Sequence, residues 1–490
     1  MVQPSLSPAS PGTFPSLVIR ANLLEPRGAF AEAQAEYLEP DPATVARLRE
    51  LLAAHGAGVV AHFYMGPELQ GTLAACDWPH IHIADSLLMA SRAVEMAQAG
   101  ARAIVVLGVD FMSENVRAIL DGSGFSHVPV YRVDTRAIGC SLAESAEAPA
   151  YGAYLTRAAR HPRSLHVVYV NTSLRVKAKA QALLPTITCT SSNVVSMVLG
   201  AAAALPGVQV WFGPDTYMGK NLHGMFSSLA ELGDDTVRSL HPAHDAASVR
   251  RLVERFHYFG QGICVVHHLF ADQVVERTRH DYPDAMITAH LEVPGEMFGL
   301  GLERQRQGLG VVGSTSNILG FINSKVDEAL GRSDRGRLQF ILGTESGMIT
   351  AIARSVQEKL RAHDGHELAV EIVFPVAGEA LAPGDATLPV VPGVAAGEGC
   401  STAGGCATCP YMKMNSLDAL LALLERLGTA PPDELALYEP RKYDERIGGR
   451  TIAELGTESI LHMRAFQRSG QLPDALVSDI LTRTANEQRL

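Results

Sequence analysis

Short runs of β-branched and aromatic residues recur along the chain, each followed by small polar residues and then by apolar positions three and four apart. Such a run predicts a strand, the polar residues a turn, and the spaced apolar positions a helix. The pattern opens at Thr44, where Val45, Leu48, Leu51 and Leu52 keep helical spacing. It then recurs in three stretches. The first holds GVVAHFYMGPE (58–68), IHIADSLLMASRAVEMAQAG (81–100) and AIVVLGVDFMSENV (103–116). The second holds LHVVYVNTSLRVKAKA (165–180), TITCTSSNVVSMVLG (186–200) and VQVWFGPDTYMGKNL (208–222). The third holds AMITAHLEVPGEM (285–297), LGVVGSTSNILGFI (309–322) and LQFILGTESGMITAI (338–352).

Asp85 and Ser86, Thr190 and Ser191, and Ser314 and Thr315 fall where helix N-caps are expected. Gly100 and Gly200 fall at C′ positions. Three strand–helix steps per stretch predict parallel sheets covered by helices. The fold expected is therefore α/β: three similar parallel-sheet domains related by pseudo-threefold symmetry. Open α/β sheets bind ligands at the C-terminal edges of their strands, so three such edges facing one axis would make one shared cleft. One large doubly wound domain, with chance likeness among common turns, is the alternative. The expected organisation is an N-terminal extension (1–44), α/β domains at 45–150, 151–275 and 276–415, and a C-terminal helical segment (416–490).

Composition narrows the function. The chain has 490 residues, 47% of them hydrophobic, and a net charge of -11. Nothing there predicts nucleic-acid or membrane-surface binding, and no apolar run is long enough to span a bilayer. The first residues lack an early basic charge and a continuous apolar core, so they do not read as a secretory signal. Seven cysteines, an odd number thinly spread, point to a reducing compartment. The location expected on these grounds is the cytoplasm.

Three of the cysteines, Cys400, Cys406 and Cys409, share the loop GEGCSTAGGCATCPYMKMN (397–415), and Pro410 forces a turn after the last. A metal site, a redox pair, a disulfide or merely free thiols would each suit that loop. The other two domains also carry a cysteine after their third step: Cys140 in VYRVDTRAIGCSLAES and Cys264 in YFGQGICVVHHLF. Cys140, Cys264 and Cys409 would meet at the threefold junction, and three thiolates at a point suit a metal. No histidine has finger-like spacing, which argues against a closed zinc site. An iron–sulfur cube held by three thiolates would leave one iron open as a Lewis acid.

These residues resemble quinolinate synthase, the family that makes the pyridine ring of NAD in bacteria. The likeness rests on IADSLLMA, YVNTSLRVKA, CTSSN, GPDTYMGKNL, GICVVH, GSTSNIL and CPYMKMNSL, in the family's order over about residues 55–425. It implies three α/β domains about a pseudo-threefold axis, with a [4Fe–4S] cluster held by Cys140, Cys264 and Cys409. The reaction implied is a transferase condensation of iminoaspartate with dihydroxyacetone phosphate to quinolinate, phosphate and two waters. An aspartate-oxidising enzyme would be the upstream partner.

The resemblance also implies site residues. His62 and Tyr64 match the family's active-site pair, and their even spacing predicts that both face one side of a strand. Tyr169 and Asn171 match the residues that hold substrate. His290 and Glu292 stand where the family has His-Pro-Glu, with Leu291 replacing the proline. Glu292 is the expected general base, with Tyr64, His62 and His290 as further proton-transfer groups. Ser86, Ser191 and Thr315 lie at helix starts that favour the substrates' carboxylates and phosphate, although ordinary N-caps would look the same. Cys406 and Cys409 form a CxxC with redox potential, while Cys76 and Cys189 read as buried thiols. GLGVVG (308–313) matches a dinucleotide fingerprint, but Val311 and Val312 read as the strand itself. Leu417, Leu420, Leu421, Leu424 and Leu427 predict a helix with one apolar face. Two rivals stand beside this function: another cluster-dependent hydro-lyase, and a non-catalytic metal or redox sensor built on the CxxC loop.

Overall fold

The computed structural model describes residues 13–35, 38–332, 335–363, 367–375 and 408–487. Cys400 and Cys406 lie outside them. Two strands lead the chain, β1 (Ser16–Arg20) and β2 (Leu23–Arg27). Four parallel strands follow: β3 (Ala57–His62), β4 (Ile81–Ala84), β5 (Ala103–Leu107) and β6 (Val130–Tyr131), in spatial order β4-β3-β5-β6. The next four are β7 (Ser164–Tyr169), β8 (Thr186–Cys189), β9 (Gln209–Gly213) and β10 (Phe256–Tyr258), in the order β8-β7-β9-β10. The last are β11 (Met286–His290), β12 (Gly310–Gly313), β13 (Gly336–Gly343) and β14 (Leu368–Val373), in the order β12-β11-β13-β14. Second, first, third, fourth is thus the order in all three sheets. Val59, Val60, Ile104, Val105, Val167 and Val168 are fully or almost fully buried, because helices cover both faces of these sheets.

The N-terminal stretch carries more structure than its composition suggested. β1 pairs antiparallel with β14 and with β2, so a hairpin widens the third sheet to six strands. Ser16 donates to the buried Glu371 carboxylate at 2.7 Å, and Arg27 and Arg337 reach the same group.

The C-terminal segment packs on the body. Helix Leu417–Arg426 buries Leu417, Leu420 and Leu424, as its spacing predicts, while Leu423 is buried and Leu421, expected on that face, is half-buried. Gly448 and Gly449 make the turn of a small hairpin, and helix Ile452–Ser469 then lies along helix Leu174–Leu183 and β8. A Cβ on Gly456 would stand 2.5 Å from the Leu174 carbonyl oxygen, so only glycine lets the two helices approach this closely. Gly200 is not a C′ residue: helix Val194–Ala204 continues through it, and its bare Cα faces the Phe466 ring. Gly100, by contrast, follows its helix with φ +96°. GLGVVG contains β12, and Ser314 caps the helix after it, as read from the sequence.

Candidate active site

Strand ends from all three sheets line one cavity, and all twelve residues singled out in the sequence lie on it. They are His62, Tyr64, Ser86 and Cys140 from the first unit, Tyr169, Asn171, Ser191 and Cys264 from the second, and His290, Glu292, Thr315 and Cys409 from the third.

The expected strand pleat is not what aligns Tyr64 and Glu292. β3 ends at His62 and β11 at His290, so their partners two residues on lie in turns. The Tyr64 amide donates to His62 Nδ1 at 3.2 Å, and the Glu292 amide donates to His290 Nδ1 at 3.3 Å. Each turn folds the second side chain back beside its histidine. Burial lowers the His62 pKa to about 4 and the His290 pKa to about 3, so both rings are neutral at pH 7. With Nδ1 accepting, the remaining proton sits on Nε2 of each ring.

Glu292 is the most connected of these groups. Its Oε1 accepts from the Tyr169 hydroxyl, and its Oε2 lies 3.2 Å from His267 Nδ1. Burial pushes the Glu292 pKa up, but His267 and the Tyr169 hydroxyl outweigh it, leaving an ionised carboxylate. His267 stacks on His290 with ring centroids 4.9 Å apart, and neither of its ring nitrogens makes a well-aligned hydrogen bond. Tyr64 also lines the cavity, its hydroxyl 3.2 Å from Thr344 Oγ1. Gln70 fixes the turn that carries Tyr64: its amide nitrogen donates to the carbonyls of Phe63, Met65 and Gly347 at 2.7–2.8 Å.

The end of the cavity where Ser86, Ser191 and Thr315 lie is tied together by Asp85. Its Oδ1 accepts from the amides of Leu87 and Leu88, capping the helix that Ser86 opens. Its Oδ2 accepts from Ser316 of the third unit at 2.9 Å and from Ser192 of the second at 3.5 Å. Ser86 and Thr315 are first residues of their helices. Ser191 is not a helix cap: it lies in a turn, and the helix starts at Val194 after Asn193. Asn193 Oδ1 instead accepts from the Thr190 amide at 2.8 Å.

The three cysteines share one local pattern. Backbone N–H groups of Leu142 and Ala143 reach Cys140, that of His267 reaches Cys264, and those of Tyr411 and Met412 reach Cys409. Burial pushes the Cys140 thiol up to about 11, Cys409 up to about 12, and Cys264 upward as well. Cys140 and Cys409 each raise Cys264 further, so the three sulfurs feel one another's charge. Without a cation all three remain neutral thiols, whereas a bound metal would stabilise the thiolates, and the amide donors would share their charge. The donor set therefore suits a metal cofactor. Cys264, His267 and Glu292 also bring their ligand atoms within 4.8 Å of one another, a spacing fit for a single divalent ion.

Sequence reasoning missed Asp85 as an inter-unit link, His267 and Glu345. Glu345 is buried, its Oε1 accepting from the Cys409 amide at 3.1 Å and its Oε2 from the Gly347 amide at 2.7 Å. Burial raises its pKa to about 8. The CVVH spacing of Cys264 and His267 was the one available signal. Nothing in GTESGM distinguishes Glu345 from a surface glutamate.

A family model described as quinolinate synthetase A protein matches residues 46–437. A Nicotiana tabacum protein named "Quinolinate synthase, chloroplastic" is 52% identical over 487 residues, covering 96% of this chain and 67% of its own length. An Arabidopsis thaliana protein of the same name is 52% identical over 486 residues, with the same two shares. One from Oryza sativa subsp. japonica is 48% identical over 494 residues, covering 96% of this chain and 69% of its own. The chain thus spans about two thirds of these relatives' length. Their names contradict the cytoplasmic location expected from composition. Sparse cysteines report a reducing environment and not which compartment provides it. Matched over most of its length by the family model and by relatives at about half identity, the chain belongs to the quinolinate synthase family.

Proposed function

We propose that the cavity condenses iminoaspartate with dihydroxyacetone phosphate, giving quinolinate, phosphate and two waters, with a [4Fe–4S] cluster held by Cys140, Cys264 and Cys409. The observation that carries this reading is the convergence of three half-buried cysteines, one from each unit, on the cavity that Tyr64, Asn171 and Glu292 also line. When bound, the cluster would supply an open iron as a Lewis acid for a substrate oxygen or nitrogen. The chain's own residues do the rest. Glu292, ionised and held by a hydrogen bond from the Tyr169 hydroxyl, accepts a proton from the substrate carbon to be isomerised. His62 and His290, neutral with Nε2–H, donate hydrogen bonds to substrate oxygens. Tyr64 returns a proton as water leaves. Asn171 holds a carboxylate or carbonyl, and the helix starts at Ser86 and Thr315, with the turn at Ser191, receive the anionic groups. An enzyme that oxidises aspartate to its imine is the upstream partner, since iminoaspartate hydrolyses in water.

The likeness to relatives named chloroplastic supports a plastid setting for this chemistry. The Cys264–His267–Glu292 group favours a second reading, a single divalent ion. Anaerobic metal and acid-labile sulfide analysis, followed by addition of both substrates, separates the two. Four irons with four sulfides, and one phosphate released per quinolinate formed, are expected. One metal without sulfide, or turnover without phosphate, would overturn the proposal.

A further inference from the structure

Lys177 is fully buried, yet it does not line the cavity and belongs to no group used above. Its Nζ donates to the carbonyls of Val170, at 3.1 Å, and Thr172. Those two carbonyls flank Asn171 on either side. Thr172 tightens the same turn: its amide donates to Val170 at 2.7 Å and its hydroxyl to Tyr169 at 3.1 Å. The opposite charge nearby is Glu114, buried on helix Asp110–Gly122 of the first unit. Glu114 Oε2 accepts from the Leu174 amide at 2.9 Å, the start of the helix that carries Lys177. Its Oε1 accepts from the Tyr443 hydroxyl at 2.8 Å. Tyr443 belongs to the C-terminal segment, just ahead of the helix whose Gly456 rests on the Leu174 carbonyl.

A fully buried lysine is costly unless it is paired and hydrogen-bonded. This one is spent on two backbone carbonyls that a helix start or a serine would otherwise serve. The one thing these two carbonyls share is the residue between them.

We propose that Lys177 is a positioning residue for Asn171, and that Glu114 and Tyr443 extend this clamp so that the C-terminal segment registers the substrate loop. The inference rests on the reading of Asn171 as a substrate contact. It gives the tail, which carries no motif of its own, a part in the reaction. Lys177 holds the Asn171 turn from behind, Glu114 holds the helix start, and Tyr443 holds Glu114.

The test uses the full chain with its cluster loaded anaerobically. The double variant Lys177→Met/Glu114→Gln removes both buried charges together, so neither is left unpaired. Its iron content and melting temperature are expected to stay close to the parent's. KM for one substrate is expected to rise about tenfold, with kcat changed less than about threefold. Amide hydrogen exchange in the peptide spanning 170–174 is expected to quicken. Tyr443→Phe, the milder change, is expected to raise the same KM about threefold, and it decides the matter if the double variant does not fold. Parental KM values with parental exchange in a folded variant would overturn the inference. A fall in kcat with KM unmoved would overturn it too. Asn171→Ala separates the two layers: if it leaves KM unchanged, the substrate-contact reading fails. If it raises KM while the clamp variants do not, the clamp alone fails.

Discussion

Glu292 combines contacts that no other residue on the cavity has: a tyrosine hydroxyl on one oxygen and a histidine nitrogen 3.2 Å from the other. Glu292→Gln keeps the shape and removes the charge. It is expected to lower kcat by about 10²- to 10⁴-fold while iron content stays at the parent's value, as steady-state kinetics and metal analysis would show. A second residue-scale expectation concerns pH. His166 is fully buried between the Tyr151 hydroxyl and Thr186, and burial lowers its pKa to about 3 from an ordinary 6.5. Between those values the unfolded chain binds a proton that the folded chain refuses. The contribution is therefore whole above pH 6.5 and is lost as pH falls toward 3, with a slope of up to about 1.4 kcal/mol per pH unit. In urea unfolding, the stability gap between parent and His166→Gln is expected to shrink on acidification; a gap independent of pH would contradict this. At this scale the sequence was most legible where chemistry is rare. Cys140, Cys264 and Cys409 announce themselves by type. His267 and Glu345 do not, because what marks them is burial, and burial is a property of the packed chain.

The strand–turn–helix step is the element that places this chemistry. His62-Phe63-Tyr64 and His290-Leu291-Glu292 use the same device, an amide two residues on donating to Nδ1. Leu291 needs no ring to fix its backbone, because the turn is held by that hydrogen bond and by Asn221, which donates to the Leu291 and Val293 carbonyls. Strand runs and helix stripes were readable because hydrophobic period follows directly from burial geometry. Turn lengths were less so. Ser191 precedes its helix by a turn because Asn193, not Thr190, stands at the cap. Gly200 looked like a terminator but makes room for Phe466. Gly456 does the same for the Leu174 carbonyl. Gly456→Ala puts a methyl 2.5 Å from that oxygen and is expected to cost about 1–3 kcal/mol, seen as a lower melting temperature. An unchanged melting temperature would show that the tail helix does not bear on the second unit.

At the scale of the whole molecule, one strand order is used three times, and its C-terminal edges meet at one cavity. That much followed from three alike stretches of sequence. The hairpin β1–β2 did not, since its partner β14 lies more than three hundred residues away and a pairing across that distance leaves no local signature. Nor did the knot at Asp85, which joins hydroxyls from the other two units. The arrangement means that no unit holds the proposed chemistry alone: each brings one thiol, and a metal held by all three would be the sum. The most direct measurement is therefore iron and acid-labile sulfide per chain after anaerobic purification, in the parent and in Cys140→Ala, Cys264→Ala and Cys409→Ala. Four of each in the parent, with collapse of both in every variant, is the expected result. A Cys140→Ala protein that kept its full iron and its turnover would contradict the account.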